Sequence, residues 1–153
     1  IKHFMIQGGD LKSKNATADQ SLGEDSLGYT VPAEIIYPKY FHKKGMLAAA
    51  RTGDDTNPET ASSASQFYIV TGKHFTEMEL DMTTEKEGKT FTPEQKEAYM
   101  SEGGTPHLDG NYTVFGEVVS GVKVVDKIQS VFVNEENRPV KDVKIKSMTV
   151  VAK

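Results

Sequence analysis

The sequence predicts a mainly β domain, and three observations lead there. Short runs of aromatic and β-branched residues alternate between two faces, bounded by glycine, proline and small polar residues. Capped helical signals are confined to two stretches. No internal repeat or linker interrupts the 153 residues, so 1–153 reads as a single domain. Its 26% charged and 37% hydrophobic residues are ordinary for a globular protein, and no apolar run is long enough to span a membrane. The net charge of -4 and pI near 5.6 argue against nucleic acid as a partner. The absence of cysteine excludes disulfides, thiol catalysis and cysteine-rich zinc sites, and no metal or other cofactor is called for. The chain opens on Ile1 inside an apolar pattern, which reads as a trimmed or processed start. Its compartment, cytoplasm or cell envelope, is left open.

In order, Phe4-Met5-Ile6-Gln7-Gly8-Gly9-Asp10 is a short strand with Met5 and Gln7 on one face and Phe4 and Ile6 on the other. Gly8-Gly9 permit positive φ at its exit. Residues 12–28 read as loop, and Pro32 and Pro38 rule out a long element over 29–40. Gly45-Met46-Leu47-Ala48-Ala49-Ala50-Arg51 reads as a buried strand whose small side chains let another backbone approach, as a groove floor requires. Residues 52–63 form a second polar loop. It leads into Ala64-Ser65-Gln66-Phe67-Tyr68-Ile69-Val70, where Gln66, Tyr68 and Val70 share one face and Phe67 and Ile69 point to the core. An amide beside an aromatic ring can hold a peptide, the ring taking an apolar side chain and the amide taking backbone groups.

A helical turn is expected around 77–82. A better signal is Thr92-Pro93-Glu94-Gln95, a capping box with proline at the first helical position. Pro106-His107-Leu108-Asp109-Gly110 is a turn. Residues 112–119 alternate as a strand with Phe115 toward the core, and Ser120-Gly121 open a helix through Val124, Val125 and Ile128. Residues 143–151 close the domain as a strand with Lys144 and Lys146 facing water.

Taken together, the blocks around Phe4–Asp10, Gly45–Arg51 and Ser65–Ile69, with His107-Leu108-Asp109-Gly110-Asn111-Tyr112-Thr113-Val114-Phe115-Gly116, stand in the order and rough spacing of the cyclophilins. The chain resembles a bacterial cyclophilin-type peptidyl-prolyl cis-trans isomerase over nearly all its length. The resemblance implies an eight-stranded closed antiparallel β-barrel with a helix across each open end and a substrate groove on the outer face. By position, Phe4, Met5, Tyr68 and Leu108 would form the proline pocket, with His107 and Tyr112 at its rim. Gln7 and Gln66 would bind the peptide backbone. Ala50 and Arg51 would meet the residues before proline through their main chain. Proline-containing polypeptides are the implied partners and protein folding the implied process, with the protein acting as a monomer.

Some positions depart from the family pattern. Its active-site arginine would fall two positions ahead of Ile1, and its first two strands and first helix have no counterpart. The sequence is therefore expected to be N-terminally incomplete; otherwise the protein lacks that group and is a noncatalytic proline-peptide-binding module. Residues 73–104 read as an insertion. His107 stands where tryptophan is frequent, which counts against tight cyclosporin binding. Tyr68 replaces a phenylalanine and brings a hydroxyl that needs a partner. His42 reads as a structural turn histidine, and Asp54-Asp55 as a solvated loop, because the spacing of a cation loop is missing. No histidine follows the pattern of a hydrolase triad.

Overall fold

The computed structural model describes residues 1–24 and 27–152. Asp25 and Ser26, in the expected loop, lie outside the described residues, as does Lys153. Four strands form one antiparallel sheet: β1 (Met5–Gly8), β3 (Met46–Ala49), β5 (Phe67–Val70) and β6 (Val114–Glu117), in the spatial order β1-β5-β3-β6. A second pair joins β2 (Thr30–Val31) to β4 (Ser62–Ser63). The helices are α1 (Glu77–Glu87), α2 (Pro93–Ser101) and α3 (Val122–Gln129). Despite its helical propensity, the alanine run of β3 is a strand. Both its edges are paired, and Ala48 is fully buried.

Register sets the faces. Gln7, Tyr68, Ala48 and Val114 lie in one row across the sheet. On their face Met5, Met46, Ala48, Tyr68, Val70 and Leu108 make the first apolar core. Here the expected polarity of β5 is reversed: Tyr68 and Val70 are buried, whereas Phe67 and Ile69, assigned to the core, are half-buried. Phe115 is likewise 58% exposed. It is the extra residue at the register shift between Val114 and Gly116, opposite no residue of β3. Alternation fixes which residues share a face but not which face finds cover. Among the described residues the sheet stays open, with β1 and β6 as its edges, so the closed ring of strands expected from the resemblance is not observed.

Other expectations are corrected too. Residues 143–151 join no strand, and Val143, Ile145 and Val150 are exposed. The helical turn at 77–82 extends to Glu87, since a Thr76–Glu79 capping box starts α1 and left-handed Gly88 ends it. A 3-10 turn, Leu11–Asn15, interrupts the first loop, capped by the Asp10 carboxylate. α3 opens after Ser120-Gly121, as expected, with Gly121 as its N-cap. The capping box at Thr92, with Pro93 first in α2, forms as the sequence predicts.

A second core gathers Phe41, Leu80, Phe91, Ala98 and Tyr99. The Tyr99 ring meets Phe41, Phe75 and Phe91 edge-on at 5.5, 6.1 and 5.8 Å. Burying a ring of this size contributes about 1.5–3 kcal/mol. This core is tied to the sheet where Gly104 bridges Lys43 and Lys73. Gly104 has φ +155°, and a Cβ there would collide with the His42 carbonyl and stand 2.6 Å from the Tyr99 ring.

Candidate functional site

The sheet brings most of the proposed site residues together. Met5, Tyr68 and Leu108 belong to the first core, and Phe4, Ala50 and Tyr112 pack against it. Met5 and Tyr68 arrive from neighbouring strands, and Leu108 from the 3-10 turn Pro106–Leu108. Phe4 lies just before β1, so strand alternation does not bind it; it joins the cluster and stacks on His107 with centroids 5.5 Å apart. Tyr68 and Tyr112 meet edge-on at 5.9 Å.

The amides stand beside this cluster. Gln7 Nε2 donates to Gln66 Oε1 at 2.9 Å, and Gln66 Nε2 donates to the Gly23 carbonyl at 3.0 Å. Gln66 is buried and Gln7 exposed. Gly9 makes this closeness possible: its φ is +94°, and a Cβ would overlap the Ser65 carbonyl. On the other side, the Arg51 guanidinium lies 4.5 Å from the Tyr112 ring centre and donates to the Asn111 carbonyl and Asp54 Oδ1. Asp54 is thus held in an ion pair. The Ala50 N–H is committed to the Gln66 carbonyl at 3.0 Å.

Met5, Tyr68 and Leu108 are buried, whereas Phe4 and Tyr112 are half-buried and Gln7 and His107 exposed. Two cavities, of about 570 and 350 Å³, open along α1. The smaller is bordered by His3, Phe75, Pro106 and His107, so of the site residues only His107 reaches it. Burial chiefly pushes the His107 imidazole below its usual 6.5; nearby Lys89 and His42 act in the same direction, while Glu87 and Asp109 oppose it. Burial also pushes the Tyr68 phenol up, so it stays an O–H donor.

Behind the ring lies a buried polar chain that sequence reasoning missed. Tyr68 Oη is 2.9 Å from His42 Nε2, and His42 Nδ1 is 3.0 Å from Asp109 Oδ1. That same oxygen accepts the His42 main-chain N–H at 2.7 Å, and Tyr99 Oη donates to Asp109 Oδ2 at 2.6 Å. The signal that could have found it was the Tyr68 hydroxyl on a buried strand, which demands a partner.

Comparisons with known proteins agree on the family. The model of the cyclophilin type peptidyl-prolyl cis-trans isomerases matches residues 1–150. A Staphylococcus epidermidis protein, named provisionally as a peptidyl-prolyl cis-trans isomerase, is 34% identical over 150 residues, covering 98% of this chain and 68% of that protein. A cyclophilin type isomerase from Cryptosporidium parvum aligns in structure with a TM-score of 0.60 at 22% identity, over 100% of this chain and 70% of that one. Its crystal form in the presence of the dipeptide Ala-Pro aligns equally well, with a TM-score of 0.60 at 21% identity, over 100% of this chain and 72% of that one. The two structures speak for the fold; the family match and the staphylococcal relative go further, and this chain belongs to the cyclophilin-type peptidyl-prolyl cis-trans isomerases.

Proposed function

We propose that the surface bounded by Phe4, Tyr68, Leu108 and Tyr112 seats the ring of a substrate proline, and that rotation of the X-Pro bond takes place there. The observation that carries this reading is the meeting of one apolar cluster with the linked amides of Gln7 and Gln66. Rotation about a peptide bond crosses a barrier of about 18–20 kcal/mol because resonance is lost at the twisted state. The lost resonance also removes charge separation, so an apolar surface costs the twisted imide less than the planar one. The ring is held on one side of the bond, while Gln7 and the Arg51 main chain hold the other. No bond forms or breaks, so neither nucleophile nor metal takes part. Met5, unbranched and polarizable, can yield to admit the ring.

The substrates of this reading are proline-containing polypeptides, with the protein acting as a monomer. The sheet would form part of a closed eight-stranded barrel, whose remaining strands would cover the half-buried face of Ile6, Leu47, Phe67 and Ile69. The test is a protease-coupled assay with a short X-Pro peptide. Faster conversion of the cis fraction is expected. Binding with only the background rate would mean a peptide-binding module, and absence of both would reject the surface.

A further inference from the structure

We infer that Tyr99, Asp109 and His42 are positioning residues for the pocket ring, so that the helical segment read as an insertion braces the substrate site; this rests on the proposed seat for proline at Tyr68. The four side chains form an unbroken chain from α2 to β5, with Tyr99 fully buried and Asp109, His42 and Tyr68 at most 2% exposed. The direction of its hydrogens follows from chemistry. A carboxylate only accepts, so Tyr99 gives its hydrogen to Oδ2, and His42 gives both its main-chain hydrogen and that on Nδ1 to Oδ1. His42 Nε2 and the Tyr68 hydroxyl, 2.9 Å apart, close the chain.

Each link ties down a different piece of chain. Tyr99 is on α2, His42 lies just before β3, Asp109 just after the turn that carries Leu108, and Tyr68 on β5. The Tyr68 ring, edge-on to Tyr112, is thus held at its hydroxyl tip by His42 as well as at its flank. A phenyl ring there would have only the flank. Such a hold prepares the seat before the peptide arrives, which lowers the cost of ordering it on binding. Burial pushes both phenols up, so each remains a hydroxyl.

Tyr99→Phe deletes one oxygen far from the bound peptide and leaves the second core filled. At a temperature well below unfolding it should raise KM for an X-Pro peptide and lower kcat/KM on the order of fivefold. Tyr68→Phe should do the same, and the double variant should lose no more than either single one, because one break already parts the chain. Ring-flip rates of residue 68, measured by NMR, should rise in Tyr99→Phe. This readout stands even if the unaltered protein proves inactive, an outcome that would sink the isomerase seat but not the brace. Lower thermal stability in Tyr99→Phe with unchanged kcat/KM and unchanged ring flips would overturn the inference, as would strictly multiplicative losses in the double variant.

Discussion

The side chains of Gln7 and Gln66 share a hydrogen bond of 2.9 Å across the β1–β5 pair, yet one is exposed and the other buried. The buried amide is also bonded to Gly23, so it is a tether, while the exposed one is the proposed contact for the peptide backbone. Gln7→Ala should therefore leave stability within about 0.5 kcal/mol and lower kcat/KM about tenfold. Gln66→Ala should lower both, with a stability loss of about 1–3 kcal/mol from the orphaned partners. Urea melts and peptide kinetics on the two variants separate these effects. Equal stability losses would show that the division of labour is wrong.

His107 gives a pH dependence of known sign. Its folded pKa lies below the unfolded 6.5, so its contribution to stability is whole above pH 6.5 and is lost as pH falls through the folded value. Proton NMR titration should find an imidazole midpoint below 6.5. His107→Phe, which keeps a ring against Phe4, should reduce the acid-side loss of stability. A midpoint above 6.5 would contradict the burial argument.

Thr92 caps α2 by accepting from the Gln95 N–H while Gln95 returns a bond to the Thr92 N–H. Thr92→Ala should cost about 1 kcal/mol, read by chemical denaturation. Because α2 carries Tyr99, hydrogen exchange should speed up through that helix in the variant. Unchanged exchange would mean that tertiary packing alone defines this end.

Gly104 sits where three backbones meet, so Gly104→Ala adds both a collision and a disfavoured φ. A loss of about 2 kcal/mol or more is expected. A melt within about 0.5 kcal/mol of the unaltered protein would show that the crossing relaxes easily.

Much of this was legible in the sequence. Strand periodicity located β1, β3, β5 and β6, and the capping box located the start of α2, because these signals are local. The residues gathered at the candidate site followed from four motif blocks. What failed was non-local. Phe67, Ile69 and Phe115 have the chemistry of core residues, but which face of a sheet is covered depends on elements distant in sequence. The 143–151 segment has a strand's pattern and joins no strand. His42, Asp109 and Tyr99 looked ordinary singly, since only the fold brings a turn histidine, a turn aspartate and a helical tyrosine within hydrogen-bonding reach of Tyr68.

The central claim is that a proline ring seated against Tyr68 and Leu108 has its imide bond turned there. Exchange NMR on a mixture of the protein and a short X-Pro peptide reads both halves in one sample. The account predicts cis–trans exchange peaks far faster than the uncatalysed tens to hundreds of seconds, with peptide-induced shifts at Gln7, Tyr68, Leu108 and Tyr112. Exchange at the free-peptide rate, with shifts confined to the trough along α1, would contradict it.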